Sequence, residues 1–352
     1  MSYKINFKHL KIYFKIRISS HFSFSLPDVS STHVYSWQKD MRKTYHLCWS
    51  GGNELLFRTK EDYVHCIVCL SLAAYKTDTT ILAYCLMSNH VHLCIRTSDV
   101  KSFIKNFRYP YSCYFNSKNE RRGRLGERDF FVSEIKGYHH TLAVIAYILR
   151  NPLHHGVCAT PFEYAYSSIR AAFQTELGYK DYVDRIELKA RYYRMPDRNH
   201  LASGILMNND GLILPECIVD VAELEHLFTT ARTYLYYMNR ISGEEWEKEQ
   251  LKDVGSSAAI RIHDIENGVK CDSIIQLLGN ESGRRRQHTM SDIEICTMID
   301  SFIVEKLGAK SIYTISDDTR QNIAQHLRAR YRLSPDQIIR CLSTSRKRNP
   351  LL

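Results

Sequence analysis

Short apolar runs alternate with amphipathic stretches along the first half of the chain, and their order predicts an α+β fold. Runs of strand length lie at residues 45–50, 81–86, 90–96 and 130–135. Helical patterns lie at 59–76 and 138–151, and a basic, aromatic stretch at 100–129 separates the third run from the fourth. The order β-α-β-β-α-β-α is typical of a mainly antiparallel sheet, which we expect to carry its helices on one face.

The pattern changes on both sides of this region, which predicts further domains. Residues 173–257 read as a mixed linker domain, with a hairpin turn at 208–211 and a long helix at 219–238. Residues 258–352 read as short helices that end in a basic tail. A coherent pattern begins only after residue 40, so we interpret 1–40 as an accessory arm or as upstream sequence attached by a mis-called start codon. The catalytic candidate is therefore 41–172.

The composition and net charge of the chain predict a polyanionic partner. The 352 residues include 48 Lys and Arg against 38 Asp and Glu, a net charge of +10, which favours nucleic acid. No apolar run approaches the roughly 20 residues needed to cross a bilayer, so we expect no membrane partner. The 11 cysteines are scattered, as in proteins of a reducing compartment, and we expect a cytoplasmic, nucleoid-associated protein. Only Cys66 and Cys69 form a CxxC pair, and its apolar surroundings favour structural cysteines over a metal site.

The most informative segment is the strand at 90–96, whose alternation separates two faces. Val91, Leu93 and Ile95 share one face, while His90, His92, Cys94 and Arg96 share the other. Two imidazoles on one strand face can converge on a single cation. The alternative is a half-exposed strand that carries two histidines by chance, since such triplets are common.

The helix at 138–151 offers the partners that a metal site would need. Tyr147 and Asn151 stand four residues apart and therefore lie on one side of the helix. Pro152 is expected to end the helix, because the residue before proline avoids the α region. A phenol, an amide oxygen and two imidazoles would suit metal-assisted phosphoryl transfer with a covalent phosphotyrosine. Taken alone, Tyr147 reads equally well as an amphipathic aromatic residue, one of 23 tyrosines.

These motifs together resemble a known family. Leu-Met-Ser-Asn-His-Val-His, ending at His92, and Ala-Tyr-Ile-Leu-Arg-Asn-Pro-Leu-His-His-Gly, ending at Gly156, are similar to those of single-tyrosine HUH (His-hydrophobic-His) transposases. The closer resemblance is to the REP-associated tyrosine transposases, and it spans about residues 43–172. Ser88 departs from the pattern, since family members often have Pro there.

The resemblance implies a ferredoxin-like palm that cleaves and rejoins single-stranded DNA with a divalent metal, Mg²⁺ or Mn²⁺. By position, His90 and His92 are metal ligands and Asn151 takes the third-ligand place. Tyr147 is the nucleophile, which leaves a 5′-phosphotyrosine and a free 3′-hydroxyl. A structured single strand such as an imperfect hairpin is the expected substrate, and a homodimer is a possible assembly.

Two basic segments are candidate DNA surfaces. The first combines cations with aromatic residues, as single-strand binders do. Its candidate contacts are Lys101, Lys105, Arg108, Arg121, Arg122, Arg124 and Arg128. Phe103, Phe107 and Phe115 in the same segment are expected to be buried.

The second surface lies at the carboxyl end, where a helix at 316–331 precedes a helix start at Ser334-Pro-Asp-Gln. Its candidate contacts are Arg346, Lys347 and Arg348. This region reads as a helix-turn-helix-like DNA-binding region or as a helical bundle for self-association.

The sequence therefore predicts a metal-dependent tyrosine DNA transposase. Two alternatives remain open: a replication-initiator or relaxase-like nickase with the same chemistry, and a non-catalytic DNA-binding regulator derived from a transposase.

Overall fold

The computed structural model describes residues 42–179, 186–187, 205–239, 290–331 and 333–344. The predicted arm at 1–40 lies outside these residues. No helix among them is long and apolar enough to span a bilayer.

The first part of the described chain is a palm of four strands and three helices. Its elements are β1 (Lys43–Ser50), α1 (Lys60–Lys76), β2 (Thr80–Met87), β3 (His90–Thr97), α2 (Val100–Lys118), β4 (Phe131–Ile135) and α3 (Tyr138–His154). Local side chains define the helix starts. Asp62 accepts a hydrogen bond from the Thr59 amide before α1, and Asp99 accepts one from the Ser102 amide at the start of α2.

The sheet has the order β2-β3-β1-β4, and every neighbouring pair is antiparallel. Together with the βαββαβ succession, this order is the ferredoxin-like arrangement, in which each helix connects two strands that are not neighbours. The α+β class and the antiparallel ferredoxin-like palm are confirmed. The β1–β3 register pairs Cys48 with His92 and Ser50 with His90, so the histidines of β3 lie beside β1.

Helices cover both faces of the sheet, so the expectation that they lie on one face was wrong. The core on one face joins Leu47, Val91 and Leu93 to α1 and α2. The other face carries apolar side chains as well, among them Cys85 and Met87 of β2, and these pack against α3. That second apolar surface has to be covered from water, and α3 covers it.

The segment after α3 packs back onto the palm. A 3₁₀ turn (Pro161–Glu163) is followed by a two-stranded ribbon of β5 (Ile186–Glu187) and β6 (Leu206–Met207), a 3₁₀ turn (Pro215–Cys217), α4 (Val221–Phe228) and α5 (Ala231–Asn239). The single helix expected at 219–238 is thus two helices. Thr229 adopts a positive φ of 67°, and the Thr230 hydroxyl accepts a hydrogen bond from the Thr233 amide, which starts a new helix.

The described carboxyl-terminal part consists of α6 (Asp292–Leu307), a 3₁₀ turn (Ile312–Thr314), α7 (Asp317–Tyr331) and α8 (Pro335–Leu342). We call α6, α7 and α8 the C-terminal helices. They share an apolar core that also includes Leu55 of the palm. The predicted start of α8 is confirmed, with the Ser334 hydroxyl accepting from the Gln337 amide and Pro335 in the first turn.

Buried polar contacts join the C-terminal helices to the palm. The Arg58 side chain, 1% exposed, pairs with Asp300 at 2.6 Å and donates to the Cys341 carbonyl. The Ser88 hydroxyl donates to Asp292 at 2.7 Å. Because Ser88 lies in the turn just before His90, the C-terminal helices contact the segment that leads into β3.

Cys66 and Cys69 lie on α1, and both side chains are buried in the core. In the part of the chain that the structure describes, no group of three or more His, Cys, Asp or Glu side chains is placed to hold a metal ion.

Candidate active site

Strand β3 presents His90 and His92 on the face that α3 covers. Val91, Leu93 and Ile95 point into the opposite core, as the alternation predicted. The two imidazoles are 2% and 0% exposed, and their ring centroids lie 5.1 Å apart. They are therefore close enough to act on one ligand.

The turn before His90 is fixed by a close backbone approach. The Gly51 amide donates to the Asn89 carbonyl at 2.6 Å. A side chain at position 51 would meet the backbone oxygens of Asn89 and Glu54, so only glycine fits here.

Helix α3 places Tyr147 beside His92 and Asn151 beside His90. The helix does not end at Asn151, as was expected. It continues to His154 with Pro152 inside it. Proline lacks a backbone amide donor, and Pro152 lies in the last turn of the helix, so only one hydrogen bond near the helix end is lost. The last carbonyls of the helix still find donors. The His155 amide donates to the Asn151 carbonyl at 3.0 Å, and the Val157 amide donates to the Pro152 carbonyl at 2.8 Å. Asn151 is thus held within the helix and is fully buried.

His90 lies between two amide oxygens. Its Nδ1 is 2.9 Å from Asn89 Oδ1, and its Nε2 is 2.9 Å from Asn151 Oδ1. A neutral imidazole carries one proton and can donate to only one of the two. With the proton on Nδ1, the lone pairs of His90 Nε2 and Asn151 Oδ1 face each other, which is the arrangement that a cation satisfies.

His92 is oriented by a histidine on β1. Its Nδ1 lies 3.0 Å from His46 Nε2, and the two rings stack. His92 Nε2 is buried and has no hydrogen-bond partner. Burial lowers the pKa of His46 to about 3 and lowers the pKa of His92 well below its ordinary value. Both rings are therefore neutral at pH 7, the form in which histidine binds metals.

Tyr147 lies beside these rings. Its centroid is 5.4 Å from that of His92, 6.4 Å from that of His46 and 6.2 Å from that of His154. The phenol is 5% exposed. We call these tyrosine and histidine side chains, together with His90 and His155, the histidine cluster.

The donors present fit a divalent ion. Two ligands at right angles on an octahedral ion, each about 2.1 Å away, are about 3 Å apart, and His90 Nε2 and Asn151 Oδ1 are 2.9 Å apart. His92 Nε2 supplies a further lone pair nearby. Two imidazoles and one amide oxygen form a sparse ligand set, which leaves positions for water and for a phosphate oxygen.

Sequence reasoning missed His46 and His155. His155 is 2% exposed, its ring centroid is 5.2 Å from that of His90, and neither of its ring nitrogens has a hydrogen-bond partner. Alternation along β1 would have placed His46 opposite the apolar face of Leu47 and Trp49. Its role depends on the β1–β3 register, however, which the sequence does not specify.

The predicted DNA contacts of the palm divide into two groups. Lys101, Lys105, Arg122, Arg124 and Arg128 are exposed. Arg121 instead has a side chain that is 8% exposed and pairs with Glu54 at 2.6 Å. Arg108 is half-buried, lies over the Trp49 ring and donates to the Arg128 carbonyl.

The three phenylalanines of this segment, Phe103, Phe107 and Phe115, are buried as expected. Arg346, Lys347 and Arg348 lie outside the described residues.

Replacing Arg122, Arg124 and Arg128 together by Ala is expected to weaken single-stranded DNA binding. Each phosphate contact on a single strand contributes about 0.7 to the slope of log K against log salt, so we expect that slope to fall by up to about 2. Fluorescence anisotropy over a salt series measures it.

The matched control is Arg121→Ala. Loss of its ion pair is expected to cost about 1–3 kcal/mol of unfolding free energy and to leave the salt slope unchanged. A salt slope that falls for Arg121→Ala but not for the triple variant would contradict this division.

An antiparallel ferredoxin-like palm with a His-hydrophobic-His strand and a helix-borne tyrosine defines the HUH class of fold. Residues 40–151 match the model of the family described as "Transposase IS200 like". This segment, about a third of the chain, is an IS200-like transposase domain, and the resemblance predicted from the motifs is confirmed for it.

A solved structure of a REP-associated tyrosine transposase bound to a REP hairpin is similar at 14% identity and a TM-score of 0.31. The similarity covers 39% of this chain and 79% of that one. No match was found among the curated proteins.

Proposed function

We propose that this protein is a metal-dependent tyrosine transposase that cleaves and rejoins structured single-stranded DNA. One observation carries the proposal. Within a domain that matches the IS200-like transposases, Tyr147 lies in a buried cluster with His90, His92 and Asn151, although the two motifs are more than 50 residues apart in sequence.

The chain's own residues supply the nucleophile and its setting. The Tyr147 oxygen attacks the phosphorus of a DNA phosphodiester, and the bond from phosphorus to the 3′-oxygen breaks. The products are a 5′-phosphotyrosine and a free 3′-hydroxyl. Because Tyr147 is 5% exposed, the DNA strand reaches its oxygen only when neighbouring side chains move apart.

His90, His92 and Asn151 would hold a divalent ion, Mg²⁺ or Mn²⁺. When bound, the ion polarises a non-bridging phosphate oxygen and orients the phosphate for in-line attack. His46 fixes the His92 ring through Nδ1, and Asn89 fixes the His90 ring in the same way. Such supporting contacts keep the metal-binding nitrogens in place.

DNA reaches the site along the exposed arginines of the loop after α2, at 122–128. Glu120, just before these arginines, forms an ion pair with Lys310, which follows α6. The wider biological assignments stay predictions: a homodimer, a cytoplasmic location and a DNA-binding role for the carboxyl terminus. A nickase would use the same residues on a different substrate, and a regulator would bind the DNA without cleaving it.

The test is covalent capture of labelled DNA. A hairpin oligonucleotide with single-stranded flanks, incubated with the full chain and Mn²⁺, is expected to yield a protein–DNA adduct on a denaturing gel, and chelation should abolish it. His92→Ala should slow adduct formation by about a thousandfold, since metal assistance supplies several kcal/mol. Hairpin binding should be retained.

The control is His226→Ala, an exposed histidine on α4 that should behave as the unchanged chain does. Absence of any adduct with Mn²⁺ or Mg²⁺ would favour the regulator. Parallel loss of binding and cleavage in His92→Ala would mean that the histidine pair is structural.

A further inference from the structure

A pocket of about 490 Å³ opens beside the histidine cluster. Its lining combines three parts of the chain: the turn from Met87 to His90, the segment from His155 to Tyr166, and the C-terminal helices. Its volume falls within the range of about 300–1,000 Å³ that is usual for small-ligand sites. The C-terminal helices lie outside residues 40–151, so the pocket is not a feature of the transposase domain alone.

The charge of the lining away from His90 disfavours a phosphate. Glu163, Asp292 and Glu294 face a single guanidinium, that of Arg340, which leaves an excess of two negative charges. The pocket is therefore suited to an uncharged group rich in hydrogen-bond donors rather than to the DNA backbone.

The buried, unpartnered imidazole of His155 indicates that the pocket binds a ligand with hydrogen-bonding groups. It lines the pocket, is 2% exposed, and has no hydrogen-bond partner on either ring nitrogen. A neutral imidazole offers one donor and one acceptor, and leaving both unsatisfied in a buried place is costly. The edge of a nucleobase presents donors and acceptors side by side and would satisfy them.

Aromatic rings form another wall. Tyr166 stacks on Tyr63 with centroids 3.7 Å apart, and Tyr164 stands nearly perpendicular to Tyr166. Aromatic surfaces of this kind hold unstacked bases, each worth about 1–3 kcal/mol.

Hydrogen bonds hold the part of the lining that the C-terminal helices supply. Asp292 accepts hydrogen bonds from Ser88, Gln337 and Arg340. A pocket with such fixed walls is organised before its ligand arrives.

We infer that this pocket binds one unpaired nucleobase of the DNA strand next to the cleaved phosphate, and that it selects a base with an exocyclic amino group. Carboxylates accept hydrogen bonds from such amino groups, as they do from cytosine N4. The inference rests on the proposed function, because it needs single-stranded DNA to pass the histidine cluster. It gives the C-terminal helices a direct part in sequence selection.

The test is a binding selection that does not depend on cleavage. A pool of hairpin oligonucleotides with randomised single-stranded flanks is bound to the full chain in EDTA, and the retained DNA is sequenced. The unchanged chain should enrich the bases that carry an exocyclic amino group (cytosine, adenine or guanine) over thymine at one flank position by about 5- to 150-fold, the range that 1–3 kcal/mol of base discrimination gives.

Val157→Trp and, independently, Ala165→Trp should fill the pocket and abolish that enrichment. Both residues line the pocket and are exposed, so the larger side chain does not disturb the core. Total DNA retained should change little, because phosphate contacts dominate affinity. Val304→Trp, at an exposed position on α6, is the matched control and should keep the enrichment.

Equal enrichment in the two filled variants and the unchanged chain, or no enrichment in any of them, would overturn the inference. Failure of the proposed function has a different signature. In that case no covalent adduct forms with Mn²⁺, while the enrichment and its loss in the filled variants are still measured.

Discussion

Tyr147→Phe is expected to reduce the covalent protein–DNA adduct to background, the largest effect on activity of any single substitution in this chain. The phenol oxygen is the only atom removed, and it is the atom that forms the bond to phosphorus. The ring keeps its contacts with His46 and His92, so folding and hairpin binding should be retained. A labelled oligonucleotide on a denaturing gel measures the adduct, and anisotropy measures binding.

The matched control is Tyr109→Phe on α2, since Tyr109 is 70% exposed and lies outside the histidine cluster. It should form the adduct at the rate of the unchanged chain. An undiminished adduct in Tyr147→Phe would assign the nucleophile to another residue.

Asp292→Ala is expected to cause the largest loss of stability, about 3–5 kcal/mol of unfolding free energy. Asp292 is buried, and its carboxylate pairs with Arg340 at 2.7 Å, so the substitution removes a buried carboxylate that balances the charge of a buried guanidinium. It also removes the acceptor for Ser88 and Gln337. Urea unfolding followed by circular dichroism measures the change.

Glu120→Ala is the matched control, because the Lys310–Glu120 pair joins the same two parts of the chain at the surface. Its loss should change the unfolding free energy by no more than about 0.5 kcal/mol. If the two substitutions lowered the unfolding free energy equally, burial of the Asp292–Arg340 pair would contribute nothing to stability.

The same pair predicts a pH dependence. Burial acts to raise the pKa of Asp292, but the Arg340 charge and the hydrogen bonds from Arg340, Ser88 and Gln337 outweigh it and hold the pKa below its ordinary value. A carboxyl with a lowered pKa in the folded state stabilises the fold above the pKa of about 3.9 in the unfolded chain. This contribution should therefore be complete at pH 7 and be lost as the pH falls below about 4, and Asp292→Ala should lack it.

Local patterns were sufficient to predict much of the palm. Strand alternation predicted which face of β3 carries His90 and His92, and helical spacing predicted that Tyr147 and Asn151 share a side of α3. Both follow from geometry within one element. The capping residues Ser334 and Pro335 predicted the start of α8 for the same reason.

Features that depend on distant contacts could not be predicted. Pro152 was expected to end α3, but the amides of His155 and Val157 satisfy the last carbonyls and the helix continues. His46 reaches His92 through strand pairing across 46 residues. Asp292 reaches Ser88 across 204 residues. No local pattern specifies such pairings. The His46–His92 contact orients a ring of the histidine cluster, and the Asp292–Ser88 contact holds one side of the pocket.

The most direct test of the central claim is to find the residue that carries the DNA. The adduct is trimmed with nuclease, digested with trypsin and fragmented in a mass spectrometer. Cleavage after Lys136 and Arg150 gives a peptide, 137–150, that contains both Tyr138 and Tyr147. We predict a nucleotide joined through its 5′-phosphate to Tyr147, with Tyr138 unmodified. A nucleotide joined to any other residue would contradict this prediction.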